Sequence, residues 1–228
     1  PTPQLSQKVW QMYYDRFSSG VDLGYHDKIN HFNPAHAAKL KENVGRFSAY
    51  KEAAFKRDIK ELLGTDRETF KTKAKEITEL YHERWFTTEY HHAVAAANMS
   101  AKWAQFEEQK ALYPNLRYVA VMDGRTRDQH ARWHNTILPI DDPWWDTHLP
   151  PNDWGCRCNV VQTDAEATVP PTAKAKENFS NNPGKTGKAF VNSGYEKRLT
   201  PKERKQAEEL GDALFKRVVN KETFNKLI

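Results

Sequence analysis

Four residues have the types and spacing to bind a soft metal ion. His130 and His134 stand four apart, so on a helix they share one face. Cys156 and Cys158 stand two apart, so on a strand they also share one face. Two such pairs brought together make a Cys2His2 tetrahedral zinc site. A metal of that kind supplies what a small domain lacks in core. The spacing also argues the other way, because short-loop zinc patterns usually put two or more residues between paired cysteines. The second reading is packing with no cofactor, the cysteines as small buried residues and His130 hydrogen-bonded to loop backbone. Two residues apart, the cysteines are too close for an ordinary unstrained disulfide.

The same stretch carries the side chains of a metal-independent ribonuclease. His130, His134 and His148 offer acid and base groups, and Arg125, Arg127 and Arg157 offer charge for a phosphate. Against catalysis, the chain has no Gly-rich phosphate loop, nucleophile elbow or HExxH. Arg157 lies between two inward-facing cysteines and so points to the opposite face. There it can pair with Asp141, Asp142, Asp146 or Asp153 and fasten the preceding loop to a strand. Four of the seven Trp fall within residues 133–154. With Pro150-Pro151 they form a packed lid or, if exposed, a protein-binding patch.

The elements that must position these residues can be read from periodicity. Leu5, Val9, Tyr13 and Phe17 mark a short amphipathic helix that Ser18-Ser19-Gly20 ends, with a loop over 20–33. Asn33-Pro34 starts a second helix, whose apolar stripe runs from Leu40 through Leu62 to a stop at Gly64. Thr65-Asp66-Arg67-Glu68 fits a capping box with Thr65 at the N-cap. Spacings of three and four then continue without Gly or Pro to residue 112. A helix over 66–112 is about 70 Å long at ~1.5 Å per residue, so part of it projects or packs on other chains. The alternative is two helices with an unmarked break. His82, His91 and His92 read as helix-surface or interface histidines. Strands are expected over 116–122, 136–138 and 156–163, with a short helix over 126–134 and a loop over 139–153. This α/β unit is too small to stand well alone and should pack on the long helix. After Asp164 the pattern becomes an extended, turn-rich arm. Thr200-Pro201-Lys202-Glu203 opens a last helix with Ala207, Leu210, Leu214 and Val218 on one face. The fold class is therefore α+β, divided as a helical region (1–114), an α/β module (115–165), and a basic arm with a C-terminal helix (166–228).

The order of motifs in the module resembles the phage Mu F-like minor head, or head-morphogenesis, proteins. A strand leads to a charged turn at Asp123, then to His130 and Trp133-His134-Asn135, where many relatives have a glycine. Asp141-Asp142-Pro143-Trp144-Trp145-Asp146 follows. The close is Pro-Pro-x-x-Trp-x-Cys-Arg-Cys, met by Pro150, Pro151, Trp154, Cys156, Arg157 and Cys158. Asn181–Phe190 is also similar to phage and prophage relatives. The compact likeness covers about residues 115–165. It implies a minor capsid component in head assembly, associated with the portal protein, other capsid proteins and the packaged genome, in the virion head or in the host cytoplasm during assembly. It implies no established catalytic reaction. Many relatives carry a further toxin or nuclease domain, so the rivals are a nuclease-type effector using His130 and the arginines, or a zinc-stabilised binding module.

Composition narrows the partners. Aromatic residues at 12% are too many for a wholly disordered chain. No apolar run approaches the ~20 residues of a membrane span, so no membrane partner is expected. Two cysteines alone suit a reducing cytosol or a particle assembled in one. The formal charge of +5 is uneven, since residues 172–228 hold 13 Lys/Arg against 7 Asp/Glu. Lys185, Lys188, Lys197, Arg198, Lys202, Arg204 and Lys205 are the expected contacts if this arm meets DNA. Otherwise the arm is a solvated extension.

Overall fold

The computed structural model of the chain describes residues 6–26 and 33–225, the side chains of 221–225 excepted. In chain order the helical region is α1 (Gln7–His26), α2 (Pro34–Lys60), α3 (Arg67–Glu79), a π-helical turn (Leu80–Arg84) and α4 (Trp85–Glu108). The module follows with β1 (Asn115–Val119), α5 (Asp128–Trp133), β2 (Ile137–Pro139), α6 (Trp145–His148) and β3 (Asn159–Thr163). A 3-10 turn (Glu177–Phe179), α7 (Pro183–Thr186), α8 (Gly194–Arg198) and α9 (Pro201–Asn225) complete it. The class is α+β, as expected.

Where a terminus is set by local chemistry, sequence and structure agree. The Asn33 side chain accepts from His36 N at 3.0 Å, with Pro34 next. Gly64 closes the turn after α2 at φ +99°. Thr200 and Glu203 make a reciprocal capping box, with Thr200 N donating to the Glu203 carboxylate at 2.8 Å and Glu203 N to Thr200 Oγ1 at 3.3 Å. One cap moves by a residue. Asp66, not Thr65, caps α3, accepting from Glu68 N (3.1 Å) and Thr69 N (3.0 Å), while the Thr65 hydroxyl turns back to Leu62 O (2.8 Å). Either residue type caps well, and the ionised carboxylate also favours the positive helix start.

The first helix does not stop at Gly20 but continues to His26. Of the stripe and loop expected there, Leu5 and residues 27–32 lie outside the described residues. The glycines are inside α1 because α4 crosses it closely. A Cβ on Gly24 would lie 2.4 Å from Val94 O and 2.6 Å from Ala97 Cβ. Ala93, Ala96, Ala97 and Ala101 give α4 the matching small-residue face.

The long helical path is continuous from Arg67 to Glu108, ending four residues short of the expected 112. Its interruption is the π turn at 80–84, where one wider turn resets the facing of side chains. Tyr81 of that turn is buried and donates to Asp58 Oδ2 at 2.7 Å. No residue of α3 is buried, so this part projects.

β1 is the centre of a three-stranded antiparallel sheet in the order β2-β1-β3, with Leu116 opposite Leu138 on one side and Gln162 on the other. Leu116, Tyr118, Leu138 and Val160 form one core with Trp133 and Trp145 and with Met99, Trp103 and Phe106 of α4. The module thus packs on the long helix, as its size required. β3 begins at Asn159 rather than Cys156, because a turn at Asp153–Cys156, with Gly155 at φ +64°, precedes it.

The stretch after Asp164 is irregular but fastened down. The Asn43 side chain accepts from Ala189 N (2.9 Å) and Phe190 N (2.8 Å) and donates to Phe190 O (2.9 Å). Phe190 stacks on Phe47 at 3.7 Å. Ala189, Phe190, Tyr195, Leu199, Ala207 and Leu214 therefore share a core with α1 and α2. Of the face expected on α9, Ala207 and Leu214 are buried and Leu210 is 36% exposed. Among the described residues no helix is long and apolar enough to cross a membrane.

Candidate functional site

Three of the four proposed metal ligands meet. His130 lies on α5, and its Nδ1 is 3.4 Å from Cys158 Sγ and 3.9 Å from Cys156 Sγ. The three ligand atoms all fall within 4.8 Å of one another. His130 is buried and both cysteines are half-buried and unbridged. The Cys158 thiol hydrogen-bonds Cys156, and this contact, aided by His130 and opposed by burial, holds Cys156 well below the usual thiol range. The same contact and burial push Cys158 upward.

His134 is not among these three. The i,i+4 argument needs a helix through both histidines, but α5 ends at Trp133 and His134 is its C-cap with ψ 133°. Its Nδ1 instead accepts from Ala120 N at 3.2 Å and ties the end of α5 to the segment after β1. The cysteines also reach His130 without a strand, since the Gly155 turn delivers them.

The ring of His130 is fixed by aromatic packing. It stacks on Trp133 at 5.1 Å and 19°. Trp133 is fully buried, donates from Nε1 to Ala173 O at 3.0 Å, and meets the edges of Tyr118, Trp144 and His148. Trp145 is fully buried and Trp144 and Trp154 are half-buried, so the tryptophans are core, as the lid reading required. Tyr118 Oη donates to Asn152 Oδ1 at 3.0 Å, anchoring the segment after Pro150-Pro151, whose peptide bond is cis.

Arg157 is exposed, but its partner is none of the four acids expected. It makes two 2.7 Å bonds to Asp123. Antiparallel pairing brings Val119 opposite Asn159, which sets the turn after β1 beside the CRC segment. The Asp123 carboxyl also accepts from Arg125 N, and Arg157 foremost holds it far below the usual carboxylate range. The acids after residue 140 take other cations: Asp141 pairs with Lys110, Asp146 with Lys185, and Asp153 with Arg127 (2.9 Å) and Lys176 (2.6 Å). Asp142 Oδ1 accepts from Trp144 N at 2.8 Å.

These placements disperse the ribonuclease set. His130 is turned to sulfur, His148 is buried with a backbone oxygen near each ring nitrogen (Trp144 O, 3.0 Å; Ala173 O, 3.1 Å), and Arg127 and Arg157 are ion-paired. Five of the seven basic residues expected to meet DNA are ion-paired as well. Lys185 meets Asp146, Lys197 meets Glu177, Arg198 meets Asp58, Arg204 meets Glu196 and Lys205 meets Glu209. Lys188 and Lys202 are exposed and have no ion-pair partner among the described residues.

Two buried features carried no local signal. Lys51 is fully buried, 2.7 Å from Glu89 Oε2 and 3.0 Å from Tyr195 Oη, with Tyr13, Tyr81 and Tyr195 rings around it. Burial pulls Lys51 down and pushes Glu89 up, and their mutual contact opposes both shifts. His92, expected at a helix surface or interface, is 6% exposed within this chain, and its Nε2 lies 2.9 Å from Ala189 O. His82 is half-buried between the Tyr13 and Phe55 rings. Each partner is far along the chain, so periodicity alone could not mark them.

A helical lead-in, a small sheet packed on it and a Cys-Arg-Cys close define a class. Residues 54–161 match the family of Phage Mu protein F like proteins, and over this stretch the chain is Mu F-like. It is 49% identical over 87 residues to "Putative capsid assembly protein F" of Escherichia phage Mu, covering 38% of this chain and 20% of that protein. It is 52% identical over 61 residues to the Mu-like prophage FluMu F protein of Haemophilus influenzae, covering 27% of this chain and 15% of that one. The matched stretches are thus a minor part of either relative. No solved structure matches the chain.

Proposed function

We propose that this chain is a phage or prophage capsid-assembly protein acting as a structural component of the head. The observation that carries the reading is the 49% identity to a capsid assembly protein. The use of the signature residues agrees with it. Asp123 pairs with Arg157, His130 stacks on Trp133, Trp144 stacks on His148 and Trp154 packs on Phe179, so these side chains hold the fold together. Other capsid proteins are the partners in this reading, with the portal protein as the particular one, and the place of action is the virion head or host cytoplasm during assembly. No catalytic role is included. Removal of the coding sequence from its phage or prophage is expected to abolish full-sized heads in electron micrographs of induced lysates, with restoration by the chain supplied in trans. Normal head numbers after removal would overturn the proposal.

A further inference from the structure

We propose that His130, Cys156 and Cys158 form a zinc site with three protein ligands and a fourth position open to solvent. Zn–S bonds of about 2.3 Å and Zn–N bonds of about 2.0–2.1 Å put tetrahedral ligand atoms about 3.6 Å apart. His130 Nδ1 stands at 3.4 and 3.9 Å from the two sulfurs, on either side of that value. Both nitrogen–sulfur spacings are therefore close to those of a ligand shell, and all three donor atoms lie within 4.8 Å of one another. The donors are an imidazole and two thiols, the soft set that selects zinc over calcium or magnesium. Ion binding takes both sulfurs as thiolates, and their protons go to solvent.

The support around the three donors is that of a ligand set held in place. The His130 ring lies against Trp133, which is itself fully buried. The Arg157–Asp123 pair holds the segment between the two cysteines. Such outer contacts fix ligand orientation in metal sites.

The fourth position distinguishes this site from the Cys2His2 arrangement. His134 is occupied by Ala120 N. Cys156 and Cys158 instead line a groove of about 460 Å³, bounded across from them by Gly24, Val94 and Asn98 of α1 and α4. A solvent oxygen from this groove completes the tetrahedron.

The full chain, purified without chelator from zinc-supplemented cells, is expected to hold about one zinc per molecule by plasma mass spectrometry. Cys156→Ser and His130→Ala should each lower this below about a tenth of an equivalent, and His134→Ala should leave it. Because the first two variants could misfold, the wild-type chain is also loaded with cobalt. A thiolate-to-cobalt charge-transfer band and tetrahedral d–d bands are expected, and added azide should shift the latter by replacing solvent. Wild-type protein with neither zinc nor the charge-transfer band overturns the site. Metal loss in His134→Ala, or d–d bands that azide leaves unmoved, overturns its open fourth position.

Discussion

His130 and His92 are both buried, but different groups face their ring nitrogens. His130 Nδ1 looks onto two sulfurs, whereas His92 Nε2 donates to Ala189 O and its Nδ1 meets no polar partner. The Trp154, Phe179 and Phe190 rings enclose His92. Burial therefore pushes it from the ordinary 6.5 down to about 4. A histidine kept neutral by the fold binds its proton more readily when unfolded, so its contribution is fully present above pH 6.5 and is lost as pH falls toward 4. Lowering the pH from 7 to 4.5 should cost about 2 kcal/mol through this residue alone. Urea unfolding of wild type and His92→Gln at both pH values checks it. The variant should lose less stability on acidification by that amount, and equal losses would contradict the assignment.

Among the elements, α1 and α4 show most clearly what can and cannot be read locally. Helix caps were legible because each is decided within four residues: Asn33-Pro34, Gly64 and Thr200–Glu203 all act where expected. Gly20 was misread as a stop and Gly24 as loop because the reason for both is α4, some seventy positions away. Gly24→Ala should be destabilising by about 1–3 kcal/mol, since the added methyl meets backbone of α4. The opposite result, the modest gain Ala usually gives in a helix, would mean that the two helices do not cross so closely, and thermal unfolding distinguishes the two. The same division holds in the site. The meeting of His130 with both cysteines was legible from residue type and spacing. The exclusion of His134 was not, because it depends on where a six-residue helix ends. The Asp123 partner of Arg157 was hidden too, because it depends on the β1–β3 register. Nothing in residues 80–84 announces a π turn.

On the scale of the whole molecule, part of the positive charge of the C-terminal stretch is held in ion pairs. With Lys185, Lys197, Arg198, Arg204 and Lys205 paired, the exposed Lys174, Lys188, Lys202, Lys216 and Arg217 are the candidates for phosphate contact. DNA binding through these five should then give a slope of log K against log salt of about −4.5 in filter-binding titrations. A slope near −9 would show that the ion pairs open to DNA as well. The larger expectation is that the helical body, the Trp-rich module and the stretch returning over them act as one packed unit within a head. The most direct measurement is the protein composition of purified procapsids and heads, read by quantitative mass spectrometry. Peptides of this chain are predicted in a fixed ratio to the portal protein. Their absence from both particles, with the chain abundant in the same lysate, would contradict a role in the head.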